Sequence, residues 1–182
     1  MHTELDLKAL QYPIGEFVSP ENIDDKQVKE WIEDIALFPS RLIELVEELK
    51  DDELAYIYRP EGWSILQLIH HCADSHMNSF IRFKLALTED TPTIRPYLED
   101  KWAKCPDTLE MPIETSLQIL TGLHARWSHL LNRLTEEGLK RTFVHPEHGK
   151  QFSLAEAIGM YAWHCYHHLA HVSLALKFKG EF

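Results

Sequence analysis

The sequence predicts an all-α protein, a four-helix bundle, and three observations carry that prediction. Apolar residues recur at three- and four-residue steps over four long stretches. Two of these stretches open on a Ser-x-x-Gln or Ser-x-x-Glu capping box. Glycine is scarce, 7 in 182 residues, and few runs alternate apolar with polar side chains, so strands have little support. The length fits a single domain over 1–182, with a core large enough to need no covalent staple.

Residues 1–22 contain Pro13, Gly15 and Pro20 and read as an irregular N-terminal arm. The first helix is expected from about Asp24 to Leu49, with Trp31, Ile35, Phe38, Leu42, Leu45, Val46 and Leu49 on its apolar face. Pro39 falls inside it and either kinks it or opens a second helix. The second runs from Ser64, boxed with Gln67, to about Leu87. The third begins near Pro112 and carries Leu117, Leu120, Leu123, Trp127, Leu130, Leu131 and Leu134. The fourth runs from Ser153, boxed with Glu156, to about Phe178, with Gly180 just beyond. The long connection over 88–111 can cross the length of the bundle, so an up-down-down-up order stands beside a simple meander. A weak echo links the halves: Leu49–Leu54 leads to the cap at Ser64 as Leu134–Leu139 leads to the cap at Ser153.

A net charge of −11 excludes a nucleic-acid partner, which needs clustered Lys and Arg, and argues against an anionic membrane surface. No stretch approaches the ~20 apolar residues of a membrane span. With no signal-peptide pattern, and Cys72, Cys105 and Cys165 unpaired by any CxxC spacing, a cytoplasmic protein with reduced thiols is expected.

The 12 histidines are the chemical anomaly. His164 and His168 lie four apart on the fourth helix and so point the same way, a spacing that can offer two imidazole nitrogens to one metal ion. His167 and His171 flank them, and the surrounding residues are apolar. A buried helix burdened with four histidines needs partners for every ring nitrogen, and metal coordination supplies them. The second helix offers a third ligand, His70 or His71, which lie about 100° apart and cannot share one ion without distortion; periodicity does not choose. Its polar stripe of Gln67, His71, Asp74, Ser75, Asn78 and Arg82 is either solvated surface or the lining of a cleft. Asp74 is a candidate catalytic residue, as proton acceptor or partner to a ligand imidazole; the plainer reading joins it to Arg82 through Asn78. Tyr161 and His171 lie near the ligand face and could orient a substrate, while the five tryptophans read as core anchors. The HPEH of residues 145–148 is a loop H-x-x-H, read as an exposed turn before a second metal site.

Residues 62–97, 161–172, YPIGEF (12–17) and WSHLL (127–131) resemble the DinB-like superfamily, and within it the YfiT branch, described as metal-dependent hydrolases. The likeness covers nearly the whole chain. It implies an up-down-down-up four-helix bundle, a homodimer, and a divalent metal, zinc or nickel, held by His71, His164 and His168. Cys165, off the ligand face, is expected to pack. Three neutral histidines with an open position form a catalytic rather than a structural metal site. The function expected is hydrolysis of a small molecule by metal-activated water. The alternatives are a low-molecular-weight thiol S-transferase of the bacillithiol kind, with a thiol cosubstrate, and a non-catalytic metal-binding bundle.

Overall fold

A computed structural model describes residues 7–147 and 149–182. Short helix α1 (Leu7–Gln11) lies inside the stretch expected to be irregular, because Leu10 is buried and draws that turn onto the bundle. Gly15 then turns the chain at φ 78 and its carbonyl accepts from Trp163 Nε1 at 3.0 Å, so the arm lies along the last helix.

Helix α2 (Asp25–Val46) is capped by Asp24, whose side chain accepts from the Gln27 amide at 2.8 Å, and it continues through Pro39. Pro39 has no N–H, so the carbonyl four residues back, that of Ile35, loses its helical partner. After α3 (Asp51–Leu54), the Ser64–Gln67 box opens α4 (Ile65–Thr88). The long connection holds α5 (Glu99–Trp102) and α6 (Pro106–Glu110). Pro112 then caps α7 (Ile113–Leu131) from outside rather than from its first turn, and α8 (Glu136–Lys140) follows. Strands β1 (Thr142–His145) and β2 (Lys150–Ser153) form an antiparallel hairpin where the sequence suggested only a loop. Four-residue strands are too short for period-two alternation to show. Ser153 and Glu156 close the box that opens α9 (Leu154–Phe178), which ends on Lys179 and Gly180 at positive φ.

The pairing of side chains fixes the helix directions. α4 and α7 run together: His70 meets Ser116 and His76 meets His124. α9 runs against α4, with Arg141 before α9 donating to the Ala86 carbonyl near the end of α4, and Tyr58 before α4 stacked on His171. α2 runs with α9: Trp31 lies so close to Gly159 that any Cβ there would sit 2.8 Å from its ring, and Arg41 reaches Tyr166. α2 runs against α7, since Val28 and Ile32 lie near Leu131 whereas Ile43 and Val46 lie near Ile113 and Leu117. The order is therefore up-down-down-up. The long connection makes this possible by returning from the end of α4, past a bridge between Thr93 and Val144, to Ala103, whose carbonyl accepts from Gln67. Trp127, Phe38, Phe83 and Leu120 fill the core, while Trp102 is 40% exposed and rests on Tyr97 rather than anchoring the interior. Among the described residues no helix is long and apolar enough to cross a membrane.

Candidate metal centre

The bundle brings His71, His164 and His168 together between α4 and α9. One ring nitrogen of each lies within 4.8 Å of the others. The neighbouring histidine is removed from the choice by its own bonds: His70 Nδ1 lies 2.7 Å from Ser116 Oγ on α7 and its Nε2 donates to the Met111 carbonyl, at the end of α6, at 3.1 Å, so both nitrogens are engaged. Cys165 is buried, and burial raises its thiol far above the usual range, so it packs and supplies no thiolate. Asp74 is half-buried and lies outside the three-histidine group. Burial, with the like charge of Asp107, raises its carboxyl to about 6. Asn78, expected to link it to Arg82, donates instead to the Asp74 backbone carbonyl at 2.9 Å. His145 is buried on β1 and His148 lies outside the described residues.

Two hydrogen-bond chains determine which nitrogens of the cluster carry protons. The longer starts at the Ile35 carbonyl that Pro39 leaves free. A carbonyl only accepts, so His124 Nδ1, 2.6 Å away, carries the proton and donates to it. Burial lowers His124 to about 4, so the ring is neutral near pH 7 and its Nε2 is a lone pair. His76 Nδ1 must then donate to that atom, at 2.7 Å, which leaves His76 Nε2 to accept from His164 Nδ1 at 3.0 Å. His164 Nε2 is consequently a bare lone pair. The shorter chain starts at the Gln11 carbonyl at the end of α1, which accepts from His171 Nε2 at 3.1 Å. His171 Nδ1 accepts from His168 Nδ1 at 3.4 Å, and His168 Nε2 is in turn unprotonated.

The two chains deliver two lone pairs facing each other across 3.2 Å. That arrangement is repulsive unless a cation lies between them. Nitrogens bound to one tetrahedral ion at ~2.0–2.1 Å are about 3.3 Å apart, so the separation fits a shared metal. A proton is a poor substitute, because burial holds both rings well below the ordinary histidine range. His71, lowered by burial to about 4, is also neutral near pH 7 and stands with its ring 4.9 Å from that of His168. The donor set is all nitrogen, suited to zinc or nickel.

Beside His164 opens a cavity of about 610 Å³, lined by Ser75, Arg82, Tyr97, Tyr161 and the hairpin. Part of the polar stripe of α4 therefore lines a cleft: Ser75 and Arg82 are buried on it, and His71 is buried in the three-histidine group, while Gln67, Asp74 and Asn78 are only partly buried. Sequence reasoning gave no role to His124 and none to His76. Their signal was position: His124 lies on the apolar face of α7 between Leu120 and Trp127, and His76 on that of α4 between Ile69 and Phe83. A polar ring on an apolar face must find its partners inside the core.

The same bundle recurs in known proteins. A protein from Bacillus cereus (strain 03BB102), named "Putative metal-dependent hydrolase", is 48% identical over 171 residues, covering 94% of this chain and 98% of its own. A Bacillus anthracis protein of the same name matches to the same extent. The solved structure of YfiT from Bacillus subtilis, described as "a probable metal-dependent hydrolase with an unusual four-helix bundle topology", superposes with a TM-score of 0.92 at 44% identity, over 94% of this chain and 98% of that one. Residues 35–172, from the free carbonyl of α2 to the turn of α9 beyond His171, match the DinB superfamily model, and the chain belongs to that superfamily.

Proposed function

We propose that the protein is a metal-dependent hydrolase of small molecules, with one divalent ion, zinc or nickel, held by His71, His164 and His168. The observation that carries this is the convergence of the two carbonyl-anchored chains on facing lone pairs 3.2 Å apart. Such an ion supplies Lewis acidity, making water a nucleophile near neutral pH and polarising a substrate oxygen. The chain's own residues do the rest. His76 and His124 hold His164 in one tautomer, and His171 does the same for His168. Tyr161 and Tyr97 wall the cavity in which a substrate would lie beside His164.

The test is elemental analysis of protein purified without added metal, joined to turnover of ester and amide panels with and without an added low-molecular-weight thiol. About one equivalent of divalent metal is expected, falling below a tenth in His164→Ala, with hydrolysis independent of thiol. Wild-type protein without metal, or unchanged content in His164→Ala, overturns the metal site. Turnover that requires the thiol overturns hydrolysis and leaves the metal site standing.

A further inference from the structure

The polar stripe of α4 ends in a buried charge that, among the described residues, forms no ion pair. Arg82 is only 8% exposed, and it lines the cavity that holds His164. Its Nε is buried without a hydrogen-bond partner, and among the described residues no carboxylate pairs with it. A guanidinium cannot shed its proton to escape this position, and an unanswered buried charge is costly. The Tyr97 hydroxyl, on the same cavity, is also buried, and its one polar neighbour is the Ser75 hydroxyl, which it approaches without a well-formed hydrogen bond. An unpartnered Arg82 Nε and a weakly held Tyr97 hydroxyl thus share one cleft.

Their chemistry selects the ligand. The planar fork of an arginine matches the two oxygens of a carboxylate, and a phenol adds a third donor. Glu99, Asp100 and Glu147 also line this cavity, opposed there by Lys101 and Arg82, so a polyanion would meet more repulsion than a single carboxylate held at the arginine. Along α4, seven residues separate Ser75 from Arg82, about 10 Å of helix. We infer that Arg82 and Tyr97 bind the carboxylate of a small monoanionic substrate whose reacting bond lies at the three histidines. The placement of the reacting bond rests on the metal reading; the carboxylate subsite does not.

The experiment is ¹⁹F NMR titration of 4-fluorobenzoate, and of uncharged 4-fluorobenzamide, into the full chain, both chelator-treated and zinc-loaded. 4-Fluorobenzoate should bind both forms. Arg82→Gln should weaken it at least tenfold and Tyr97→Phe a few-fold, with 4-fluorobenzamide bound weakly and equally by wild type and Arg82→Gln. Inorganic phosphate should compete poorly. Because Arg82→Gln removes an uncompensated buried charge, it should melt no lower than wild type. If it does unfold, Arg82→Lys, which keeps the charge and loses the fork, carries the test and should weaken 4-fluorobenzoate several-fold. Equal binding by wild type and the Arg82 variants, or no binding by wild type, overturns the subsite. Binding seen only with zinc and indifferent to Arg82 also overturns it, while leaving the metal reading intact. Arg82-dependent binding in a protein that takes up no zinc would do the reverse.

Discussion

The two hydrogen-bond chains that end at His164 and His168 do the same task from different surroundings. The longer runs through the centre of the bundle, from α2 through α7 and α4 to α9, and His76 and His124 are 0% and 1% exposed. The shorter runs outward from α9 to the arm, where Gln11 is only partly buried. Water can stand in for the Gln11 carbonyl, but it has no room at His76 or His124. The difference teaches that one proposed ligand is oriented by the folded core itself and the other by a peripheral segment. Perturbing the two should have unequal consequences.

The largest effect is expected at His76. His76→Leu removes the acceptor of His164 Nδ1–H and leaves both that proton and His124 Nε2 buried without partners. Loss of such an outer partner weakens a metal by roughly 10–100-fold. Each stranded group costs about 1–3 kcal/mol of stability. Competition with a chromophoric chelator and urea denaturation read the two separately. An affinity within twofold of wild type would show that His164 needs no partner. On the shorter chain, a protein begun at Ser19 loses the Gln11 carbonyl, but solvent replaces it. Zinc affinity should fall only a few-fold in the same competition assay. A loss equal to that of His76→Leu would erase the distinction between the chains.

Pro39→Ala sharpens the comparison at its root. Alanine restores an amide that competes for the Ile35 carbonyl, the one acceptor that dictates the proton position in the longer chain. In helix interiors alanine is favoured over proline by about 3 kcal/mol, so the helix should not weaken. Long-range ¹H–¹⁵N spectra of the histidine rings should nevertheless show His124 shifting from the single Nδ1–H tautomer toward a mixture, with zinc bound a few-fold less tightly. An unchanged tautomer would mean that the carbonyl serves both donors.

These chains also mark where the sequence could be read and where it could not. Local signals were legible. The Ser64 and Ser153 boxes begin α4 and α9, and the four-residue spacing of His164 and His168 puts both rings on one face. The echo between halves was legible too. Helices α3 and α8 precede equivalent closures, the Tyr56 carbonyl accepting from Ile65 at 3.0 Å and the Arg141 carbonyl from Leu154 at 2.8 Å. Aligning the two caps places Ser75, Ser79 and Arg82 opposite His164, His168 and His171 in the repeat. What local reading could not supply is long-range partnership. The distinction between His70 and His71 is made by Ser116 and Met111, more than forty residues away. The meaning of Pro39 is made by His124, which no periodicity in α2 reveals. Helix geometry fixes directions, but a proton's position depends on the atom at the far end.

Asp74 belongs to neither chain and provides the smallest expected effect. Its carboxyl is raised to about 6 chiefly by burial, and secondarily by Asp107. Below pH ~4 the group is protonated in folded and unfolded chains alike and contributes nothing pH-dependent. Between pH ~4 and ~6 the unfolded chain ionises while the folded one keeps its proton, so wild-type stability falls as pH rises; above ~6 the penalty is constant. Asp74→Asn cannot ionise and escapes it. The variant should match wild type at pH 4 and exceed it by about 1 kcal/mol at pH 7, a figure kept small because the side chain is only half-buried and water screens it. Urea denaturation at the two pH values measures this difference. Zinc affinity should stay within twofold of wild type, because the Asp74 side chain bonds to no histidine of the cluster. A tenfold loss of zinc in Asp74→Asn would instead make this carboxylate a third support of the metal site, acting from α4 on His71, the one ligand whose proton position neither chain sets.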